Sequence, residues 1–186
     1  MNTEIQRVLG RRVWDSRGRP TIETEIHLVC GAIGRAVAPA GASTGSAEAV
    51  DKRDGGARLG GFDVMQGINA VNGEITHCLN GCNALDQENI DAQLIELDGT
   101  ANKSRLGGNA LIASSMAVAH AAAAARRQPL WQYLARGHER TLLPLPEIQI
   151  FGGGAHAGRR EDVQDFMVIA VGAESYAQAR EWTAEV

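Results

Sequence analysis

Ser43 and Thr44 stand side by side in a loop of small residues, Pro39-Ala40-Gly41-Ala42-Ser43-Thr44-Gly45. Two hydroxyls of this kind can coordinate a hard cation or hydrogen-bond a phosphate. Gly41 and Gly45 are expected to give the loop backbone angles closed to other residues and let its main chain approach a ligand. A second glycine run, Gly152-Gly153-Gly154, has the look of a phosphate-binding loop, but no Gly-Lys-Ser/Thr follows it. Cys30, Cys78 and Cys82 show no paired framework, which fits a reducing, cytosolic compartment. His77, Cys78 and Cys82 offer a metal only three ligands at loose spacing, so thiols half-buried on a helix are the better reading. Arg17 is as well placed for a structural ion pair beneath the loop as for a phosphate clamp, and Lys103 reads as a structural residue in a connector.

The elements that carry these residues follow from periodicity. From Thr21 the chain alternates, with Ile22, Thr24, Ile26 and Leu28 on one face and Glu23, Glu25 and His27 on the other, a half-buried strand. Cys30-Gly31-Ala32 turns the chain, and Ile33 to Ala38 returns. With a strand from Ile5 to Trp14 this predicts a three-stranded antiparallel meander. The loop therefore follows directly on a strand. The period then changes. Val64, Ile68, Val71, Ile75 and Leu79 form a helical stripe. Ile90 to Leu97 predicts a second helix ended by Asp98-Gly99, Asn109 to Arg127 an alanine-rich third, and Leu130 to Ala135 a short fourth. Leu142 to Pro146 reads as a linker. Beyond it lie a strand from Glu147 to Phe151, an apolar strand from Val163 to Val171, and a helix capped by Ser175. Two strands and one helix bury no core of their own, so this second unit is expected to be incomplete.

The 186 residues are 44% hydrophobic and 22% charged, ordinary globular values, with a net charge of −4 and a pI near 5.7. Nothing here suggests a nucleic-acid surface. The most apolar run, Met116 to Ala125, contains His120 and is shorter than the roughly 20 residues of a membrane span, so no membrane partner is expected.

Several blocks, in order and at matching intervals, resemble the enolase family. Asp15-Ser16-Arg17-Gly18-Arg19-Pro20-Thr21 resembles its DSRGNPT block, and Gly41 to Gly45 its SGASTG loop, with Ala40 where Ser is usual. Arg53-Asp54-Gly55 resembles LRDGD. Leu97 to Gly107 is similar to the LDGT-NKS-LGANA segment, Gly153 to Ala157 to GGAHA, and Gln164-Asp165-Phe166-Met167 to QEFM. The resemblance implies an α+β fold: a β3α4 capping domain over residues 1–140, then the first ββα of a (β/α)8 barrel over residues 141–186, the barrel incomplete. It implies a Mg²⁺-dependent lyase, a cytosolic homodimer that converts 2-phosphoglycerate to phosphoenolpyruvate. Carried over residue by residue, Ser43 on the mobile loop of Gly41, Ala42, Ser43 and Thr44 would bind a second Mg²⁺. His156, Gln164 and Asp165 would bind the phosphorylated acid, and Asp165 would be catalytic. The family's base Lys and main Mg²⁺ carboxylates lie on later barrel strands, outside this chain.

The departures are equally specific. Asp165 stands where the family has Glu, Gln149 and Gly152 replace the two Asn of N-x-x-N-G-G, and Arg159-Arg160 adds positive charge. They suggest an alternative, a paralogue acting on a related phosphorylated or phosphonylated acid. A short non-catalytic binding or scaffold protein is the third reading.

Overall fold

A computed structural model describes residues 1–41, 44–135, 137 and 142–186, with the side chains of Ala155 and His156 excepted. The chain divides into two compact units, Met1–Gly41 with Gly45–Gly137, and His138–Val186 with Ala42–Thr44.

In the first unit β1 (Ile5–Trp14), β2 (Pro20–Leu28) and β3 (Ile33–Val37) form an antiparallel meander in that order. The alternation read from β2 is realised: Ile22, Thr24, Ile26 and Leu28 are all at most 1% exposed. Burying each aliphatic side chain contributes about 1.5–3 kcal/mol. The helical stripe is buried too, but as a composite. Helix α1 (Met65–Ala70) passes through a π-helical turn (Val71–Ile75) into α2 (Thr76–Leu79) without a break in direction. Thr76 Oγ1 donates to the Val71 carbonyl at 2.6 Å inside this turn, and Asn72 pairs with both backbone groups of Gly10 on β1. Helices α3 (Gln87–Asp98), α4 (Gly108–Ala125) and α5 (Leu130–Leu134) follow. With α1, the π turn and α2 counted as one helix, the unit is β3α4.

Helix α4 lies against β2 and β3, and its small side chains bring it very close. A Cβ at Gly34 on β3 would fall 2.1 Å from the Ala121 nitrogen and 2.2 Å from the Ala117 oxygen. The α4 backbone thus occupies the place of the side chain that β3 lacks at this point. Among the described residues α4 is the one helix long and apolar enough to cross a bilayer, and it is longer than the apolar run read from the sequence. Two-thirds of that window is buried within the unit, as befits a core helix.

The outer face of β2 is not simply solvated. Glu25 is 7% exposed. It accepts from His27 Nε2 at 2.8 Å and Arg35 Nε at 2.8 Å, and pairs with Arg11 at 2.7 Å. The strand register makes this possible, since Arg35 lies directly opposite Glu25 and Arg11 opposite Glu23. The hydrogen bonds from His27 and Arg35 hold the Glu25 carboxyl down to about 2. Asp98 is buried at the end of α3. Burial pushes its carboxyl up, but hydrogen bonds from the Leu106 and Thr100 N–H groups and the Thr100 hydroxyl, with the charge of Lys103, outweigh that and leave it lowered. Gly99 closes α3 in the left-handed conformation at φ 69°, the stop expected there.

The second unit has β4 (Glu147–Gly152), a 3₁₀ turn (Gly154–Ala157), β5 (Asp165–Ile169) and α6 (Tyr176–Glu185). Strands β4 and β5 are antiparallel. Strand β5 is shorter than its apolar run because the Gln164 carbonyl accepts from Gly153 N at 2.7 Å and Val171 N turns back to Ile169. Ser175 caps α6 by accepting from Gln178 N, as its position predicts. No closed barrel is present among the described residues.

Two outcomes test this architecture. Gly34→Ala should destabilise the first unit by roughly 3 kcal/mol or more, because only backbone can move to relieve the clash; chemical denaturation measures it. Glu25 has a depressed carboxyl, so its contribution is present above its ordinary value of 4.5 and fades as pH falls toward about 2. Glu25→Gln should cost about 1–3 kcal/mol at neutral pH and flatten the acid limb of a stability-against-pH curve. An acid limb identical in both proteins would refute the assignment.

Candidate functional site

The hairpin of β1 and β2 turns through Asp15, whose Oδ1 accepts from the backbone nitrogens of Arg17 and Arg19, both at 2.8 Å. The Arg19 bond, with that of Arg17 and the two guanidinium charges, outweighs desolvation and holds the Asp15 carboxyl below its usual range. Arg17 bridges onward. Its Nε lies 3.7 Å from Asp15 Oδ2, and its Nη2 donates to the Ala40 carbonyl. Thr21 Oγ1 donates to the Ala38 carbonyl at 2.7 Å. The root of the Gly41–Thr44 loop is therefore tied to the β1–β2 hairpin on both sides of Pro39. Arg17 is in this structure a brace for the loop root, the structural alternative weighed above. Ala42 and Ser43 lie outside the described residues, while Gly41 and Thr44 are exposed. Gly45 departs from expectation. Its φ is not left-handed; instead a Cβ there would lie 3.3 Å from Glu48 Oε1, which accepts from the Gly45 nitrogen at 2.9 Å. Space, not backbone angle, makes glycine suitable there.

Other blocks of the resemblance hold the scaffold. Asp54 accepts from the Met65 and Gln66 nitrogens at 2.8 and 2.9 Å and so satisfies the start of α1 from outside the helix. Arg53 donates to the Phe62 carbonyl. Lys103 donates from Nζ to the Thr100 carbonyl at 3.0 Å, the structural role expected of it. Cys78 and Cys82 both direct their thiols to Gln93 Oε1, at 3.8 and 3.6 Å, and burial pushes the Cys78 thiol up.

In the second unit the glycine run shapes the end of β4. A Cβ at Gly153 would lie 1.9 Å from the Val163 carbonyl oxygen, so no other residue fits. Gly154 takes φ 58°, accepts from Arg159 N at 2.8 Å and donates to the Glu161 carbonyl at 2.8 Å. His156 lies in the 3₁₀ turn Gly154–Ala157; its side chain is outside the description. Gln164 is exposed and holds Gly153 through its backbone carbonyl. Asp165 opens β5 opposite Gly152, and its Oδ1 accepts from Gln149 Nε2 at 2.5 Å. The structure thus brings Gln164 and Asp165 beside the glycine turn that carries His156. The sequence marked Gln149 as a departure from a motif; its hydrogen bond to Asp165 becomes visible only in the structure. Chemically, a carboxyl group with one oxygen engaged in this way leaves the other available for proton exchange with a ligand.

Among the described residues no group of three or more His, Cys, Asp or Glu side chains could hold a metal ion. The described residues therefore do not by themselves make a Mg²⁺ site.

A two-unit chain of this kind, an α+β meander with helices followed by the opening strands of a barrel, is the architecture of an enolase. The model of the enolase N-terminal domain matches residues 5–134, and that of the enolase C-terminal TIM barrel domain matches residues 140–186. Enolase 2 of Pseudomonas syringae pv. syringae (strain B728a) is 48% identical over 188 residues, which cover all of this chain and 44% of that protein. The chain belongs to the enolase family, and it spans less than half the length of this relative.

Gly153→Ala should separate the β4–β5 pair. Backbone amides of β4 and β5 should then exchange faster with solvent while those of β1 to β3 keep their protection, a difference that hydrogen-exchange mass spectrometry resolves.

Proposed function

We propose that this chain supplies the capping domain and first barrel strands of an enolase-type lyase that removes water from 2-phosphoglycerate to give phosphoenolpyruvate. The observation that carries this reading is the position of Asp165, a carboxylate at the start of β5, in contact with the Gly152–Gly154 run that leads into the His156 turn. In this role Asp165 assists departure of the hydroxide. Gln164 and His156 bind the phosphorylated acid. Ser43 is, in this reading, the ligand of a second Mg²⁺. The Arg17 brace and the Thr21 hydrogen bond hold the Ala38–Ala40 root of its loop to the β1–β2 hairpin. Mg²⁺ belongs to this reading as the family's cofactor, supplying charge stabilisation to the enolate when bound. Its main ligands are not among the described residues. A cytosolic homodimer completes the picture.

A specific set of residues favours a second reading. Asp165, Gln149, Gly152 and the Arg159-Arg160 pair all differ from the usual motifs around one end of β4 and β5. A pocket reshaped in this way suits a related phosphorylated or phosphonylated acid. Asp is one methylene shorter than Glu, and misplacing a catalytic group by about 1 Å can cost on the order of 10²-fold in rate.

The test is a phosphoenolpyruvate absorbance assay on pure, mass-verified protein with a complete barrel. Mg²⁺-dependent turnover at an ordinary enolase level supports the first reading. A kcat/KM lower by about 10²-fold, with faster turnover of another phosphorylated or phosphonylated acid, supports the second. The 186-residue chain alone should form no phosphoenolpyruvate, and steady turnover by it would refute the assignment of the base to later strands.

A further inference from the structure

We propose that Gln149 is a positioning residue for Asp165 and that Gln149, Gly152 and Asp165 form one interdependent unit at the end of β4 and β5. This rests on the reading of Asp165 as the catalytic carboxylate. Gln149 and Asp165 are not partners in the ladder. Gln149 lies opposite Met167, Asp165 lies opposite Gly152, and the register shifts between Gln149 and Phe151. The contact is therefore diagonal across the strand pair. Diagonal neighbours sit about 7–8 Å apart, within reach of a long side chain. Gln149 makes that reach, and its Nε2 donates to Asp165 Oδ1.

Gly152 supplies the room. A Cβ built there would lie 3.1 Å from Gln149 Nε2 and 3.8 Å from Gln149 Cδ. A side chain at position 152 would press on the carboxamide and shift it by a few tenths of an ångström. Three departures from the familiar motif thus become one rearrangement. A Gln–Asp pair contains the same total number of side-chain methylenes as an Asn–Glu pair. The longer amide makes up for the shorter acid, and the Asp165 carboxylate is held closer to β5 than a Glu carboxylate by about one carbon–carbon bond, roughly 1.5 Å. Loss of the Gln149 amide would free the short carboxylate to rotate, because nothing else among the described residues bonds to its oxygens. Gln149 therefore fixes which oxygen stays free. The bond is exposed, and an exposed hydrogen bond adds little to stability. Its purpose is orientation, so its effect belongs in kcat.

Four proteins with complete barrels test this: the parent, Gln149→Asn, Asp165→Glu, and the double variant. With 2-phosphoglycerate as the probe, each single variant should lose kcat by about 10- to 100-fold at nearly constant KM. In Gln149→Asn the amide falls short of Asp165; in Asp165→Glu the longer acid meets the amide. The double variant should recover most of the loss, because the two changes couple through one contact. Losses that simply multiply in the double variant would overturn the proposal. If the parent does not act on 2-phosphoglycerate, the proposed function fails, and the pair is read instead from the side-chain amide resonances of Gln149 in ¹⁵N-labelled protein. Asp165→Ala and Gly152→Ala should each shift them. Resonances unmoved in both variants would likewise overturn it.

Discussion

Helix α4 rests on the sheet with backbone against backbone, and most of the first unit is arranged around that approach. At Gly34 the strand has no side chain, and the helix has only alanines, Ala117 and Ala121, where it meets the strand. Close packing leaves no slack for a methyl group in such a place. The depth at which α4 sits decides how Thr24 meets Ser114 in the core and how α3 lies against the outer side of α4. The chain leaves β3 at Val37, three residues beyond Gly34, and runs on toward the loop sequence that carries Ser43.

The second unit applies the same rule at smaller scale. Gly153 lets the Val163 carbonyl come within what would be bonding range of a side chain, and this pinches the segment between β4 and β5 into a tight turn. Because the turn is pinched, Gln164 spends its carbonyl on Gly153 and Asp165 becomes the first residue of β5. In both units a missing Cβ fixes the backbone, and the polar groups of interest are hung from what the backbone then allows.

Much of this was legible in the sequence, because the elements obey simple periods. Ile22 to Leu28 alternate, and Val64 to Leu79 step by three and four, so strand and helix could be read without a structure. The start of α6 at Ser175 and the stop of α3 at Gly99 were legible for the same local reason, the chemistry of caps. What escaped depended on neighbours remote in sequence. Glu25 reads as a solvated charge until register sets Arg35 opposite it and Arg11 beside it. The π turn at Val71–Ile75 leaves the apolar stripe unchanged and so leaves no trace in it. The brace from Arg17 to Ala40 spans a whole hairpin. The contact of Gln149 with Asp165 requires a register irregularity that no count of residues foretells. Of the candidate site, resemblance nominates Ser43, His156, Gln164 and Asp165, while the bonds around Asp165 follow from strand register and turn geometry.

One feature of the second unit bears on how the protein behaves at high concentration. Ile148 and Phe151 on β4, and Phe166, Met167 and Ile169 on β5, are each between 36% and 69% exposed. Among the described residues no third strand pairs with either edge of this ribbon, and its apolar side chains lie beside those edges. An apolar surface of this kind favours self-association unless something covers it. Salts that strengthen apolar association should lower solubility sooner than they affect folding. For the 186 residues by themselves, charge placed on the exposed face of that ribbon would oppose self-association without touching the core of the first unit.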